Sequence, residues 1–208
     1  MKLIVGVTGA SGSIYGARLI KVLGEAYPEV ESHLVVSRAG RRVLRHETDY
    51  DLEDLARWAD FTHPEADIGA EPASGSAGFD AMVIAPCSVK TLGQIAAGIG
   101  DTLVGRAADV ILKERKKLVL LVREMPLSAI HLENMLKLSR LGVMILPASP
   151  GFYFHPASID DLVDHVVGKT LNALGLEQNL FEKWRGQDSR GQSSAVLDER
   201  DIGDESVN

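Results

Sequence analysis

The sequence predicts an α/β fold: a doubly wound, Rossmann-like or flavodoxin-like parallel sheet with helices on both faces, in a single domain. Three observations carry this reading. Short apolar, β-branched runs recur along the 208 residues, amphipathic stretches of helical spacing separate them, and glycines or small hydroxylic residues follow several of the runs. Hydrophobic residues make up 45% of the chain and charged residues 25%, enough apolar surface for one substantial core.

In chain order, residues 3–7 form the first apolar run and residues 13–24 the first amphipathic helix. A second run at 33–36 leads into a helix at 39–47, after which residues 51–77 are irregular and read as a surface excursion. The third run, 81–85, precedes helices at 89–97 and 102–115. A fourth run at 118–122 is followed by a helix at 128–140, and a fifth at 143–146 by a helix at 159–174. Each run lacks polar alternation and so reads as a strand buried on both faces. From residue 186 onward the chain turns Gly-, Gln-, Ser- and acid-rich, with too few apolar residues to offset the entropy of ordering it. The expected division is therefore a folded domain over 1–185 and a flexible tail over 186–208.

Composition excludes several function classes. A formal net charge of -7 opposes a surface built to neutralise nucleic-acid phosphates. No apolar run approaches the ~18 residues of a membrane span, and the N-terminus lacks the pattern of a signal peptide, so a cytoplasmic location is expected. The single Cys87 cannot build an intramolecular disulfide, and six scattered His residues without an HExxH pattern imply no metal.

In a parallel sheet of this kind ligands bind beyond the carboxyl ends of the strands, which directs attention to the segments that follow each run. After the first run stand Thr8, Gly9, Ala10, Ser11, Gly12 and Ser13, a small-residue turn into a helix. Such a turn aims backbone N–H groups and a helix N-terminus at one point, so an anion is expected there. The Gly6, Gly9, Gly12 spacing alone is weak evidence, since tight strand-to-helix packing also selects glycine. After the third run, Ser88, Val89, Lys90 and Thr91 open another helix with hydroxyl groups; Ser88 alone reads as an ordinary N-cap, but two helix starts with small hydroxylic residues at one sheet edge form a shared polar pocket, and neighbouring Cys87 reads as a small buried filler. Arg123 and Glu124 end an otherwise apolar run. An Arg there can fork onto a phosphate or carbonyl and a Glu can transfer protons, while simple solvation explains the pair equally well. Finally, Phe152, Tyr153, Phe154 and His155 concentrate rings in one loop of a chain that is only 5% aromatic.

Taken in order, Thr-Gly-Ala-Ser-Gly-Ser-Ile-Tyr-Gly (8–16), Ala-Pro-Cys-Ser-Val-Lys-Thr-Leu (85–92), Arg-Ala-Ala-Asp-Val-Ile-Leu-Lys-Glu-Arg (106–115), Arg-Glu-Met-Pro-Leu (123–127) and Phe-Tyr (152–153) closely resemble the UbiX-type flavin prenyltransferases. The likeness spans roughly residues 2–184. It implies FMN, reduced, as the bound flavin; a metal-independent transfer of a dimethylallyl unit from dimethylallyl phosphate to flavin N5 and C6; and a homo-oligomer, commonly a dodecamer, with flavin at subunit interfaces. The product would pass to a separate UbiD-type decarboxylase. By position the resemblance implies FMN contacts at Gly9, Ala10, Ser11, Ser37, Ser88, Val89, Lys90, Thr91 and Arg123. It implies a donor-phosphate cradle of Tyr153 and Lys169 with Lys113 and Arg123 nearby, Glu47 close by, Trp184 as part of an aromatic wall, and Glu124 as acid/base group beside the catalytic candidates Glu47 and Ser11. Two positions depart from the family: Lys169 stands where many relatives carry Arg, which loses a bidentate fork, and Met125 replaces a more usual Thr, which loses a hydroxyl donor.

Three rival readings come from other classes. A cysteine-peptide decarboxylase shares fold and FMN, but its Pro-x-Met-Asn motif is replaced here by Pro126, Leu127 and Ser128. An NAD(P)-dependent reductase would want an acidic residue after the second strand, where Ser37 and Arg38 stand. A non-catalytic carrier would bind FMN and leave it unmodified.

Overall fold

The computed structural model describes residues 1–182 and Trp184, so the expected tail at 186–208 lies outside the described residues. Six parallel strands run β1 (Lys2–Val7), β2 (Glu31–Val36), β3 (Phe61–His63), β4 (Ala81–Cys87), β5 (Lys117–Val122) and β6 (Met144–Pro147). Seven helices accompany them among the described residues: α1 (Ser13–Ala26), α2 (Arg38–Glu47), α3 (Leu52–Trp58), α4 (Val89–Ala97), α5 (Leu103–Lys113), α6 (Ala129–Arg140) and α7 (Ile159–Leu174). The strand order is β3-β2-β1-β4-β5-β6, the doubly wound arrangement that the sequence predicts.

The two faces of the sheet carry separate cores. Leu3, Val5, Val83 and Leu121 point to the face covered by α1 and α7, whereas Ile4, Met82, Ile84 and Leu120 point to the face covered by α4 and α5. This alternation follows from the two-residue period of a strand, and burial on both faces explains why the central strands lack polar positions. Arg18 of α1 donates through Nε and Nη2 to the two carboxylate oxygens of Asp164 in α7, at 2.6 and 3.0 Å, which ties the helices of one layer together.

Two sequence expectations need correction. The excursion at 51–77 contains regular structure: α3 begins at a capping box in which Asp51 accepts from the Asp54 amide and Asp54 accepts from the Asp51 amide, and β3 adds a sixth, edge strand. Both elements are short, and Phe61 and Thr62 are exposed, so neither leaves a period in the sequence. The last strand is not buried on both faces. It pairs only with β5, and its ends, Met144 and Pro147, are exposed. An edge position leaves an apolar run looking like a core strand.

One buried polar cluster belongs to the scaffold. His33 in β2 is fully buried, with Nδ1 2.9 Å from His63 Nε2 and Nε2 2.9 Å from Glu31 Oε1, and its ring stacks on Phe61. Both ring nitrogens therefore have partners, the condition for burying an imidazole.

Candidate functional site

The strand order reverses between β1 and β4, and in sheets of this kind the crevice that takes a ligand lies there, flanked by the loops that leave the carboxyl ends of those strands. Thr8 joins the two loops. Its hydroxyl donates to the Pro86 carbonyl at 2.8 Å and accepts from the Ser88 amide at 2.9 Å, so the start of α1 and the start of α4 are held at one place. Ser88 caps α4 by accepting from the Thr91 amide at 3.3 Å, and Ser37 caps α2 by accepting from the Gly40 amide at 2.9 Å. Gly9 allows the β1 loop to approach α2, because a Cβ there would lie 2.5 Å from the Ala39 Cβ.

Arg123 leaves the end of β5 and donates from Nε to the Ser11 carbonyl at 2.9 Å, bringing its guanidinium to the β1 loop. Glu124 follows, half-buried, with Oε1 accepting from the Met125 amide at 3.0 Å. Glu47, at the last turn of α2, accepts from the Gly12 amide at 2.8 Å, the Ser13 amide at 3.1 Å and the Ser13 hydroxyl at 3.0 Å. Burial by itself would raise this carboxyl. It is outweighed by the hydrogen bonds from Ser11, Gly12 and Ser13, which hold it below the usual carboxylate range.

That contact corrects one expectation. The anion expected at the N-terminus of α1 is supplied by the protein itself: Glu47 takes the Gly12 and Ser13 amides. Glu47 thereby joins Ser11 and Arg123 at the start of α1. Cys87 agrees with its reading as a filler, fully buried with its thiol pushed up to about 12 by burial.

A second feature lies along α7. Tyr153, Lys169, Asn172, Phe181 and Trp184 line a cavity of about 590 Å³. Tyr153 packs edge-on against Trp184 with centroids 5.8 Å apart, and the Lys169 ammonium sits 5.8 Å from the Phe181 ring centre. Tyr153, Lys169 and Trp184, expected together from the sequence, are brought together. Asn172 and Phe181 are additions. The spacing of Lys169 and Asn172, three residues apart in a helix, was the available signal for the first. Phe181 lies in a loop with no period to announce it.

Among solved structures, a dodecameric FMN-dependent UbiX-like decarboxylase from Escherichia coli O157:H7 is 53% identical, with a TM-score of 0.88 over 89% of this chain and 100% of that one. AnUbiX, solved in complex with FMN and dimethylallyl pyrophosphate, is 43% identical, with a TM-score of 0.86 over 89% of this chain and 97% of that one. The Flavoprotein family matches residues 1–171, and a probable UbiX-like flavin prenyltransferase of Escherichia coli O157:H7 is 53% identical over 89% of this chain and 94% of its own length. The chain belongs to the UbiX-like flavin prenyltransferases.

Within one chain of this UbiX-like flavin prenyltransferase, Lys113 stands apart from the other residues expected at the donor phosphate. It ends α5, beside Glu114 and Gly75, with its ammonium 2.6 Å from Glu114 Oε1. Since α5 and α7 cover opposite faces of the sheet, Lys113 is separated from Tyr153 and Lys169 by the sheet itself. The cavity is likewise lined by none of the crevice residues, Arg123 included. The local pattern does not reveal this, because α5 lies in the crossover from β4 to β5 whereas α7 follows the last strand, and the face each covers is set by packing against the assembled sheet.

Proposed function

We propose that the chain transfers a dimethylallyl group from dimethylallyl phosphate to N5 and C6 of reduced FMN, yielding prenylated FMN for a UbiD-type decarboxylase. The observation that carries this is the crevice at the strand-order reversal, with two capped helix starts and Arg123 joined to Ser11, in a chain 43% identical to a protein solved with FMN and dimethylallyl pyrophosphate. Backbone and hydroxyl donors of Gly9, Ala10, Ser11, Ser37 and the Ser88–Thr91 turn suit a flavin with its phosphate, and the Arg123 fork suits a ring carbonyl or phosphate.

The chemistry assigns the remaining residues. Flavin N5 forms a bond to the allylic carbon as the carbon–oxygen bond breaks, and the electron pair leaves with phosphate. The allyl double bond then takes a proton at its inner carbon, C6 bonds to the outer carbon, and C6 gives up its own proton. Lys169 and Tyr153 suit the departing phosphate, the rings of Tyr153 and Trp184 suit an allyl group with cationic character, and Glu124 is the proton carrier. Lys113 would reach a phosphate only from a second copy of the chain. The assembly is accordingly read as a homo-oligomer, a dodecamer as in the Escherichia coli relative, acting in the cytoplasm without a metal. Among the described residues no helix is long and apolar enough to cross a membrane, and no acidic, His or Cys cluster suits a metal ion.

The test is anaerobic incubation with reduced FMN and either dimethylallyl phosphate or diphosphate, followed by mass spectrometry of the released flavin. A gain of one five-carbon prenyl unit is the expected result, and unmodified flavin overturns the proposal. Release of carbon dioxide from an added acid by chain and FMN alone would instead favour a decarboxylase, the activity named for the 53% identical Escherichia coli protein.

A further inference from the structure

We propose that His165 is a positioning residue that fixes Tyr153 as a hydroxyl donor to the phosphate of the prenyl donor; this rests on the reading that Tyr153 contacts that phosphate. His165 projects from α7 into the ring cluster beside the cavity and is 4% exposed. Its ring stacks on Phe154 with centroids 5.0 Å apart and an interplanar angle of 8°, lies 4.5 Å from Phe181, and meets Tyr153 edge-on at 5.7 Å. Three aromatic neighbours therefore fix the plane of the imidazole.

The hydrogen bonds then fix its proton. The Gly151 amide donates to His165 Nδ1 at 3.4 Å, so Nδ1 presents its lone pair. A neutral imidazole whose Nδ1 accepts carries its hydrogen on Nε2, and Nε2 lies 3.3 Å from the Tyr153 hydroxyl oxygen. His165 is thus the donor in that pair, and the hydrogen of the Tyr153 hydroxyl remains available to a ligand. The opposite tautomer would set Nδ1–H against the Gly151 N–H and turn the Tyr153 hydrogen back onto the imidazole. Burial, and then the Lys169 ammonium, lower the affinity of His165 for a second proton, which favours the neutral ring.

Lys169 stands one helical turn beyond His165 and lines the same cavity as Tyr153. A lysine offers a phosphate a point charge with no fixed fork, so directed hydrogen bonding falls to the tyrosine. The backbone of the aromatic loop, through Gly151 and His165, thereby sets the direction of a proton at Tyr153.

The experiment is a double-mutant cycle on prenyl transfer, with KM for dimethylallyl phosphate and kcat determined for the wild type, His165→Phe, Tyr153→Phe and the double variant. Phenylalanine keeps a ring against Phe154 and removes both hydrogen bonds. His165→Phe is expected to raise KM roughly five-fold, the equivalent of one ordinary hydrogen bond, with a smaller effect on kcat. In the Tyr153→Phe background the same change is expected to add nothing, because the hydroxyl it directs is gone. An equal penalty in both backgrounds, or an unchanged KM in His165→Phe, overturns the inference. Should His165→Phe not fold, His165→Gln and His165→Met make the same comparison: glutamine reaches with an N–H donor and methionine fills similar space without one. A KM near wild type for Gln and raised for Met is expected, and equal values overturn the inference. A wild type that forms no prenylated flavin removes the underlying reading, whereas an active wild type with additive variants removes only the role of His165.

Discussion

Glu124 is held at the end of β5 by the hydrogen bond from the Met125 amide, an arrangement that a glutamine can reproduce without being able to carry a proton. Glu124→Gln is therefore expected to bind FMN as the wild type does while slowing prenyl transfer by about 10²–10⁴-fold, the usual range for loss of a general acid or base. Single-turnover formation of the prenylated flavin measures this, and an unchanged rate takes Glu124 out of the mechanism. Glu47 makes a different prediction, because its hydrogen bonds to the start of α1 hold its folded-state carboxyl below the usual range. A group with a depressed folded value stabilises the fold above its unfolded value, about 4.3 for Glu, and that stability is lost as pH falls through the folded value. Glu47 is largely exposed, so Glu47→Gln is expected to cost only about 1 kcal/mol near neutrality. Denaturant unfolding should show the gap between wild type and variant closing as the pH drops below about 4. A gap that stays constant across that range would mean that shape, not charge, stabilises α1. Most residues of the crevice were legible because glycines and hydroxyls follow strand ends in the sequence. The partner of the α1 start was not, since Glu47 is more than thirty residues away and its role depends on α2 ending beside α1.

Elements with a strong period were legible to within a residue or two: α4 and α7 begin and end where their apolar spacing predicts. Elements defined by neighbours were not. The short α3 and β3, and the edge position of β6, are set by which strand lies alongside, information that a local pattern does not hold. The α1 layer shows the same dependence at Gly16, where an added Cβ would overlap the Ala85 carbonyl oxygen and lie 2.9 Å from Val7 Cγ2. Mid-helix Gly→Ala ordinarily gains up to about 1 kcal/mol of propensity. Here the obstacle is backbone of β4, and overpacking of about 1–3 kcal/mol outweighs that gain. Gly16→Ala is expected to lower Tm by several degrees. Gly93→Ala in α4, whose Cβ would sit 3.6 Å from an Asn134 side-chain atom, is expected to leave Tm unchanged or raise it slightly. Thermal scans that rank the two variants the other way would show that α1 can move off the sheet at little cost.

At the scale of the whole molecule, one chain presents more apolar surface than its own core uses. Ile130, Leu132 and Leu136 of α6, Leu141 after it and Met144 of β6 are all exposed on adjoining elements, a surface of the kind that marks contact between proteins. The 53% identical Escherichia coli relative is a dodecamer, and a closed assembly of that kind sets different surfaces of identical chains against one another. Lys113 gives this a functional consequence. It lies across the sheet from Tyr153 and Lys169, so a site that uses all three must draw Lys113 from one copy and Tyr153 from another. Lys113→Ala and Tyr153→Phe, each impaired alone, should then complement when their subunits are dissociated, mixed in equal amounts and reassembled. In random assembly about a quarter of the sites would combine an intact Tyr153 with a neighbouring intact Lys113, and prenyl transfer should recover toward that fraction of the wild-type rate. Separately assembled variants combined without subunit exchange should show no recovery. If the exchanged mixture also stays at the level of the two variants, Lys113 and Tyr153 do not meet across an interface, and the donor phosphate is held by Tyr153 and Lys169 without Lys113.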